Sequence, residues 1–194
     1  MLTFDSERHE YHYNGVRVPN VTSILSDLTD LSMVPPAALE TARQKGVAVH
    51  RMVELDAKGD LDEATLPAWM APVLIEWRKF VAQAGFRVVD SEKKVYHATY
   101  KYAGTLDLFG ELTHAAKFAY VDVKRSFLAG KVTGLQTAAY KEADSRDKKE
   151  RRNALRYALR LNEGEPYRMQ EFTDPNDFHT FAACLVRHNF KGTL

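Results

Sequence analysis

The sequence predicts a mixed α/β domain, a central mixed β-sheet flanked by helices. Three observations lead to this expectation. Apolar residues recur at spacings of three and four through residues 36–84. The pattern then changes to alternation and β-rich runs through residues 86–124, and a helix, two more strands and a last helix follow. No internal repeat, low-complexity tract or long linker divides the 194 residues. One domain over residues 1–194 is therefore expected, with an N-terminal β-hairpin arm at about residues 1–20.

The hairpin is read from Tyr11, Tyr13, Val16 and Val18, which flank Asn14-Gly15, the strongest two-residue turn signal. Thr22 or Ser23 is placed to cap a short helix through Leu28, ended around Pro35-Pro36. A longer helix is predicted from about Pro36 to Ala57, where Leu39, Ala42, Gly46, Val49, Val53 and Asp56 keep the helical spacing. On it His50 and Glu54, four apart, project from neighbouring positions. A further helix from Pro67 or Ala68 to Ala84 carries the core stripe Met70, Leu74, Trp77, Phe80 and Val81 and stops at Gly85.

Strands are then expected at Phe86–Val89, Lys94–His97, Tyr102–Glu111 and Phe118–Lys124. A helix from about Gly134 to Ala143 leads to two more strands, Asn153–Leu161 and Tyr167–Phe172, and a helix from Pro175 to His188 closes the chain.

Composition narrows the possibilities. The single cysteine, Cys184, rules out an internal disulfide, a cysteine zinc site and a four-cysteine iron–sulfur cluster. No run of about 18 apolar residues is present, so no membrane span is expected. The N-terminus lacks the basic start and apolar stretch of a signal peptide, and a cytoplasmic location follows. The net charge of +1 is uninformative, but residues 115–160 hold 12 Lys and Arg against 5 Asp and Glu. That asymmetry suits either a face for a polyanion or a solvated, salt-bridged surface.

The chemistry concentrates in Gly104-Thr-Leu-Asp107 and Tyr120-Val-Asp-Val-Lys-Arg-Ser126. In a strand Asp122 and Lys124 point to the same side, while Val121 and Val123 point to the other. A carboxylate and an ammonium in an otherwise apolar strand are costly without partners. Asp107 repeats the anomaly among Leu106, Leu108 and Phe109. Two carboxylates on adjacent strands are what a hard divalent cation requires. Taken alone, the same residues also read as a structural ion pair and a turn aspartate.

Together, Gly104-Thr-Leu-Asp107, Asp122-Val-Lys124 and Gln136-Thr-Ala-Ala-Tyr140 resemble successive motifs of the PD-(D/E)XK nuclease superfamily. The RecB nuclease domain and phage-type exonucleases form the most similar branch, whose GxxxH motif is matched by Gly46-Val-Ala-Val-His50. The resemblance covers residues 46–140. It implies a restriction-endonuclease-like core and a magnesium or manganese cofactor without an iron–sulfur cluster. Asp107, Asp122, His50 and the Val123 backbone carbonyl would ligate the metal, and Lys124 would orient water or hold the scissile phosphate. Gln136 and Tyr140 would contact substrate.

Other residues stay open. Glu92 is either a further ligand or a surface carboxylate beside Lys93 and Lys94. Glu54 reads as a helix-surface partner of Arg51 or Lys58, or as an aid to the site. Arg125 and Ser126 are placed to touch the phosphate backbone. Leu106 stands where proline precedes the aspartate in the superfamily's name motif. The implied activity is metal-dependent hydrolysis of DNA, with exonuclease action favoured because no recognition helix or zinc finger is visible. The settings it implies are phage or bacterial recombination, repair or processing, with DNA and a recombination or replication protein as partners. An inactive DNA-binding or assembly protein of the same fold, and a structure-specific or RNA nuclease, are the alternatives.

Overall fold

The computed structural model describes residues 1–125, 130–145 and 149–192. The first twenty residues form a three-stranded antiparallel sheet of β1 (Leu2–Asp5), β2 (Glu10–Tyr13) and β3 (Val16–Val18), so the predicted hairpin gains a third strand. Asn14 and Gly15 take φ values of 51° and 81°, the positive pair that a tight hairpin turn needs. Helix α1 (Val21–Leu25) is capped by Asn20, ahead of the Thr22 or Ser23 that the sequence suggested. The Asn20 side chain accepts from the Ser23 N–H at 2.8 Å.

Helix α2 (Pro36–Lys58) opens on a proline, whose missing N–H costs nothing at a helix start. It ends at Gly59 (φ 75°), and α3 (Ala71–Ala84) ends likewise at Gly85 (φ 60°). The main sheet follows with β4 (Phe86–His97), β5 (Tyr102–Leu112) and β6 (Lys117–Lys124). Then come α4 (Gly130–Asp144), the short α5 (Lys149–Arg152), β7 (Leu155–Arg160), β8 (Arg168–Glu171) and α6 (Asp177–Lys191).

The sheet order is β4-β5-β6-β7-β8. Every pairing is antiparallel except β6 with β7, so the sheet is mixed, as expected. A parallel pair needs a crossover, and α4 with α5 lies in that connection.

Two core layers enclose the sheet. On one side Val49, Met52 and Val53 of α2 and Trp77 and Phe80 of α3 pack with Leu108, Leu112, Val121, Val123 and Leu159. On the other, Val21 and Ile24 of α1, Leu135 and Ala139 of α4 and Phe181 and Leu185 of α6 pack with Leu106, Phe109 and Tyr120. The small sheet docks through Tyr11 and Val18 against Ala103, and Tyr13 stacks on Tyr96 with ring centroids 3.9 Å apart. Among the described residues no helix is long and apolar enough to cross a membrane.

One irregularity positions the site. The two strands predicted at 86–89 and 94–97 are a single strand, bulged between Val88 and Asp90, with Glu92 in the left-handed region at φ 48°. On β5, Leu106 and Leu108 are two apart and should share a face, yet they belong to opposite core layers. The alternation changes phase at Asp107, across from Glu92. Polar side chains at this break point into neither apolar layer.

Candidate metal centre

Register brings the carboxylates together. Ser91 pairs with Leu108 and Lys93 with Leu106, which brackets Glu92 opposite Asp107. Leu108 pairs with Val121, so Asp107 comes next opposite Asp122. There the ladder gives way to a side chain, and Asp107 Oδ2 accepts from the Val123 N–H at 2.7 Å. Three carboxylates on three adjacent strands repel one another unless a cation lies among them.

His50 reaches this cluster from α2. Its Nε2 lies 3.0 Å from the Val123 carbonyl, which can only accept, so Nε2 carries the hydrogen. Nδ1 is left facing Glu92 Oε1 at 3.4 Å and Asp107 Oδ1 at 3.5 Å. One donor atom from each of the three residues falls within 4.8 Å of the others. Burial disfavours charge on the ring, but Asp107, Glu92 and, farther off, Asp122 outweigh it and raise the His50 pKa to about 9. The pocket thus demands positive charge at Nδ1. A proton meets the demand, and so would a divalent cation taking one nitrogen and two oxygens.

Asp122 strengthens the fit. It is 2% exposed, and its Oδ1 has no hydrogen-bond donor among the described residues. Lys124 Nζ stands 2.8 Å from Oδ2 and is that oxygen's one partner among the described residues. Burial raises the Asp122 pKa to about 6; Lys124 opposes that shift and Asp107 adds to it. Asp107 is raised as well, by burial first, with His50 and Lys124 pulling against it. A buried carboxylate with one oxygen left without a donor is costly, and a cation beside it would remove the cost. Asp122 stands outside the three-residue group, one strand farther across.

Behind Asp122 a polar chain runs into α4. Lys124 Nζ donates to Gln136 Oε1 at 3.2 Å, and Gln136 Nε2 donates to Tyr140 Oη at 3.1 Å. Residues four apart on a helix face the same way, so one turn of α4 supplies both groups. Gly104 makes room for the ring, since a Cβ there would come within 2.5 Å of Tyr140 Cε1.

Other predicted residues are placed differently. Glu54 is held by Arg51 at 2.7 Å and Lys58 at 2.6 Å, the helix-surface role anticipated for it. Arg125 turns to Asn162 at 3.0 Å and lies over the Trp69 ring. Ser126 lies outside the described residues. Three described cations of the basic segment are engaged inside the fold. Arg151 is buried between Asp90 and Asp144, Arg156 pairs with Asp177 at 2.9 Å, and Lys141 donates to the Ala154 carbonyl. These charges serve the fold.

The cluster opens into a cleft of about 770 Å³. Gly46, Val47 and Arg51 of α2 line one part of it, and Phe4, His9 and Tyr11 of the small sheet line another. A Cβ at Gly46 would meet nothing within 4 Å, so that glycine borders open space. Tyr11 Oη bonds Thr105 Oγ1 at 2.7 Å and ties the small sheet to the strand that carries Asp107. The sequence pointed to the N-terminal hairpin as a whole as a place to grip DNA, but not to Phe4, His9 or Lys94 in particular. The one available signal was the cluster of aromatic residues between Phe4 and Tyr13.

Fold and site together define a mixed α/β protein with a candidate divalent-cation centre. No protein-family model matches the chain, and no curated protein matches it either.

Proposed function

We propose that the protein is a magnesium- or manganese-dependent deoxyribonuclease of the PD-(D/E)XK type, acting on DNA ends. The observation that carries this reading is buried Asp122, its Oδ1 without a donor among the described residues, beside Lys124 and next to the His50–Glu92–Asp107 group. His50, Glu92, Asp107 and Asp122 hold the cation. When bound, it lowers the pKa of water and neutralises phosphate charge.

The protein's own groups do the rest. Lys124 is kept protonated: burial opposes its charge, but Asp122 and Asp107 outweigh it and raise its pKa. It meets the non-bridging oxygens of the scissile phosphate as a point charge, where negative charge grows during attack. Gln136 fixes the Lys124 ammonium through its carbonyl oxygen and is itself oriented by Tyr140. His50 keeps Nδ1 aimed at the cluster because Val123 holds its other nitrogen. Hydrolysis leaves a 5′-phosphate and a 3′-hydroxyl. The setting is cytoplasmic DNA recombination, repair or processing in a bacterial or phage-infected cell, with a recombination or replication protein as partner.

The test incubates wild type and Asp122→Ala with end-labelled linear DNA and closed-circular DNA, each with magnesium, manganese or chelator. Metal-dependent loss of linear DNA by wild type alone is the expected result. DNA binding without cleavage under any metal overturns the reading in favour of a binding module of the same fold.

A further inference from the structure

Four cations line the cleft: Arg43, Arg51, Lys94 and Lys124. Arg43 is paired with Glu40 at 2.7 Å, Arg51 with Glu54 at 2.7 Å and Lys124 with Asp122 at 2.8 Å. Lys94 makes no ion pair among the described residues, and its ammonium rests 5.5 Å from the centre of the Phe4 ring. Phe4 packs on Tyr11 with centroids 4.6 Å apart, and the exposed His9 imidazole stands edge-on to Phe4 at 5.2 Å. His9 is held at φ 54°, at the end of a turn in which Asp5 Oδ1 accepts from the Glu7 and Arg8 N–H groups. A left-handed non-glycine residue on a cleft wall is a costly way to present a ring.

We propose that Phe4, His9 and Lys94 form a grip for an unpaired DNA end, in which a base stacks on the aromatic wall and Lys94 takes the adjoining phosphate. This rests on the nuclease reading and names its substrate class. Within a duplex a base offers only its edges to the protein, because both faces are stacked on neighbours. Apart from the terminal pair of a blunt end, an aromatic wall serves a base that has left the stack, and base–aromatic stacking with a cation on the backbone is the general mode of single-strand binding. The free ammonium is the complement of a phosphate, and the Tyr11–Thr105 bond fixes the wall relative to Asp107. The grip and the metal centre share one cleft, so a strand held on the wall delivers its phosphates to Lys124.

The experiment measures fluorescence anisotropy of a labelled single-stranded DNA 12-mer and of a blunt DNA hairpin, both in chelator, with wild type, His9→Ala, Lys94→Gln and Lys94→Arg. His9→Ala and Lys94→Gln are expected to weaken single-strand binding by roughly 10-fold each, about the effect of one lost stack. Hairpin binding changes little. Lys94→Gln also lowers the salt slope for the single strand by about 0.7, one phosphate contact, and Lys94→Arg restores it. Losses that are absent, or equal for the two probes, overturn the grip, as does failure of wild type to bind the single strand. Binding is read without metal, so failure of wild type to cleave in the separate assay counts against the nuclease reading alone.

Discussion

Asp122 and Lys124, two residues apart on β6, form an ion pair at 2.8 Å through Oδ2, yet Asp122 Oδ1 lacks a hydrogen-bond donor among the described residues. The pair is therefore underprovided on its anionic side, in a cluster that already holds Glu92 and Asp107. A cost in stability is what a site built for a cation would show with that site empty.

The first prediction concerns that cost. A free aspartate titrates near 3.9, whereas burial holds Asp122 at about 6. The folded state binds this proton more tightly than the unfolded chain. The resulting stability is full below about pH 4 and lost as pH rises through 6. At neutral pH without metal, Asp122→Asn should raise Tm by roughly 2–4 °C, about 1 kcal/mol for a chain of this size. The gain should narrow at pH 5. Thermal melts in chelator decide it, and an unchanged or lower Tm at pH 7.5 contradicts the account.

The second concerns Lys124. Lys124→Gln removes the cation and leaves Asp122 charged and buried. A loss on the order of 2 kcal/mol is expected, below the range for a fully buried pair because Lys124 is partly exposed. Adding Asp122→Asn should restore most of the stability and none of the cleavage. Urea melts and a cleavage assay on the single and double variants separate the two effects.

The third concerns protons. His50 has a folded pKa of about 9 against 6.5 for the free group, so its contribution to stability is full below pH 6.5 and lost as pH rises through 9. A cation at Nδ1 must displace the proton. Calorimetric titration of Mn²⁺ at pH 7.5 in two buffers of different ionisation enthalpy should report about one proton released per ion. Release of none returns His50 to a structural role.

Much of this was legible in the sequence. Asp107, Asp122 and Lys124 stood out because charge inside an apolar strand has few explanations. His50 stood out by its distance from Gly46. Glu92 was legible only as either a ligand or a surface carboxylate, because its placement depends on a bulge at Val88–Asp90 and a left-handed backbone, and neither follows from residue type. The basic excess of residues 115–160 left two readings open for a related reason. Sequence counts charges, but only packing shows that Arg151 and Arg156 are consumed by Asp90, Asp144 and Asp177. The strand Leu2–Asp5 was missed because four residues are too few to show a period.

The fourth prediction concerns packing at the motif glycine. Gly104→Ala would drive a Cβ into Tyr140 and press on Val21, a cost of about 1–3 kcal/mol. In a Tyr140→Ala background most of that cost should disappear, because the ring is the main obstacle. A double-mutant cycle in chemical denaturation measures the coupling. Additive losses show that Gly104 is required for another reason.

The central claim is that His50, Glu92 and Asp107 hold a divalent cation, and titration calorimetry with Mn²⁺ tests it most directly. Wild type and Glu54→Gln should both show one saturable site, because Glu54 is already satisfied by Arg51 and Lys58. Glu92→Gln should bind roughly 10- to 100-fold more weakly, as loss of a direct ligand or its close support does, and Asp107→Asn should show no saturable heat. Equal Mn²⁺ affinity in wild type, Glu92→Gln and Asp107→Asn, or no saturable binding by wild type, would contradict the assignment.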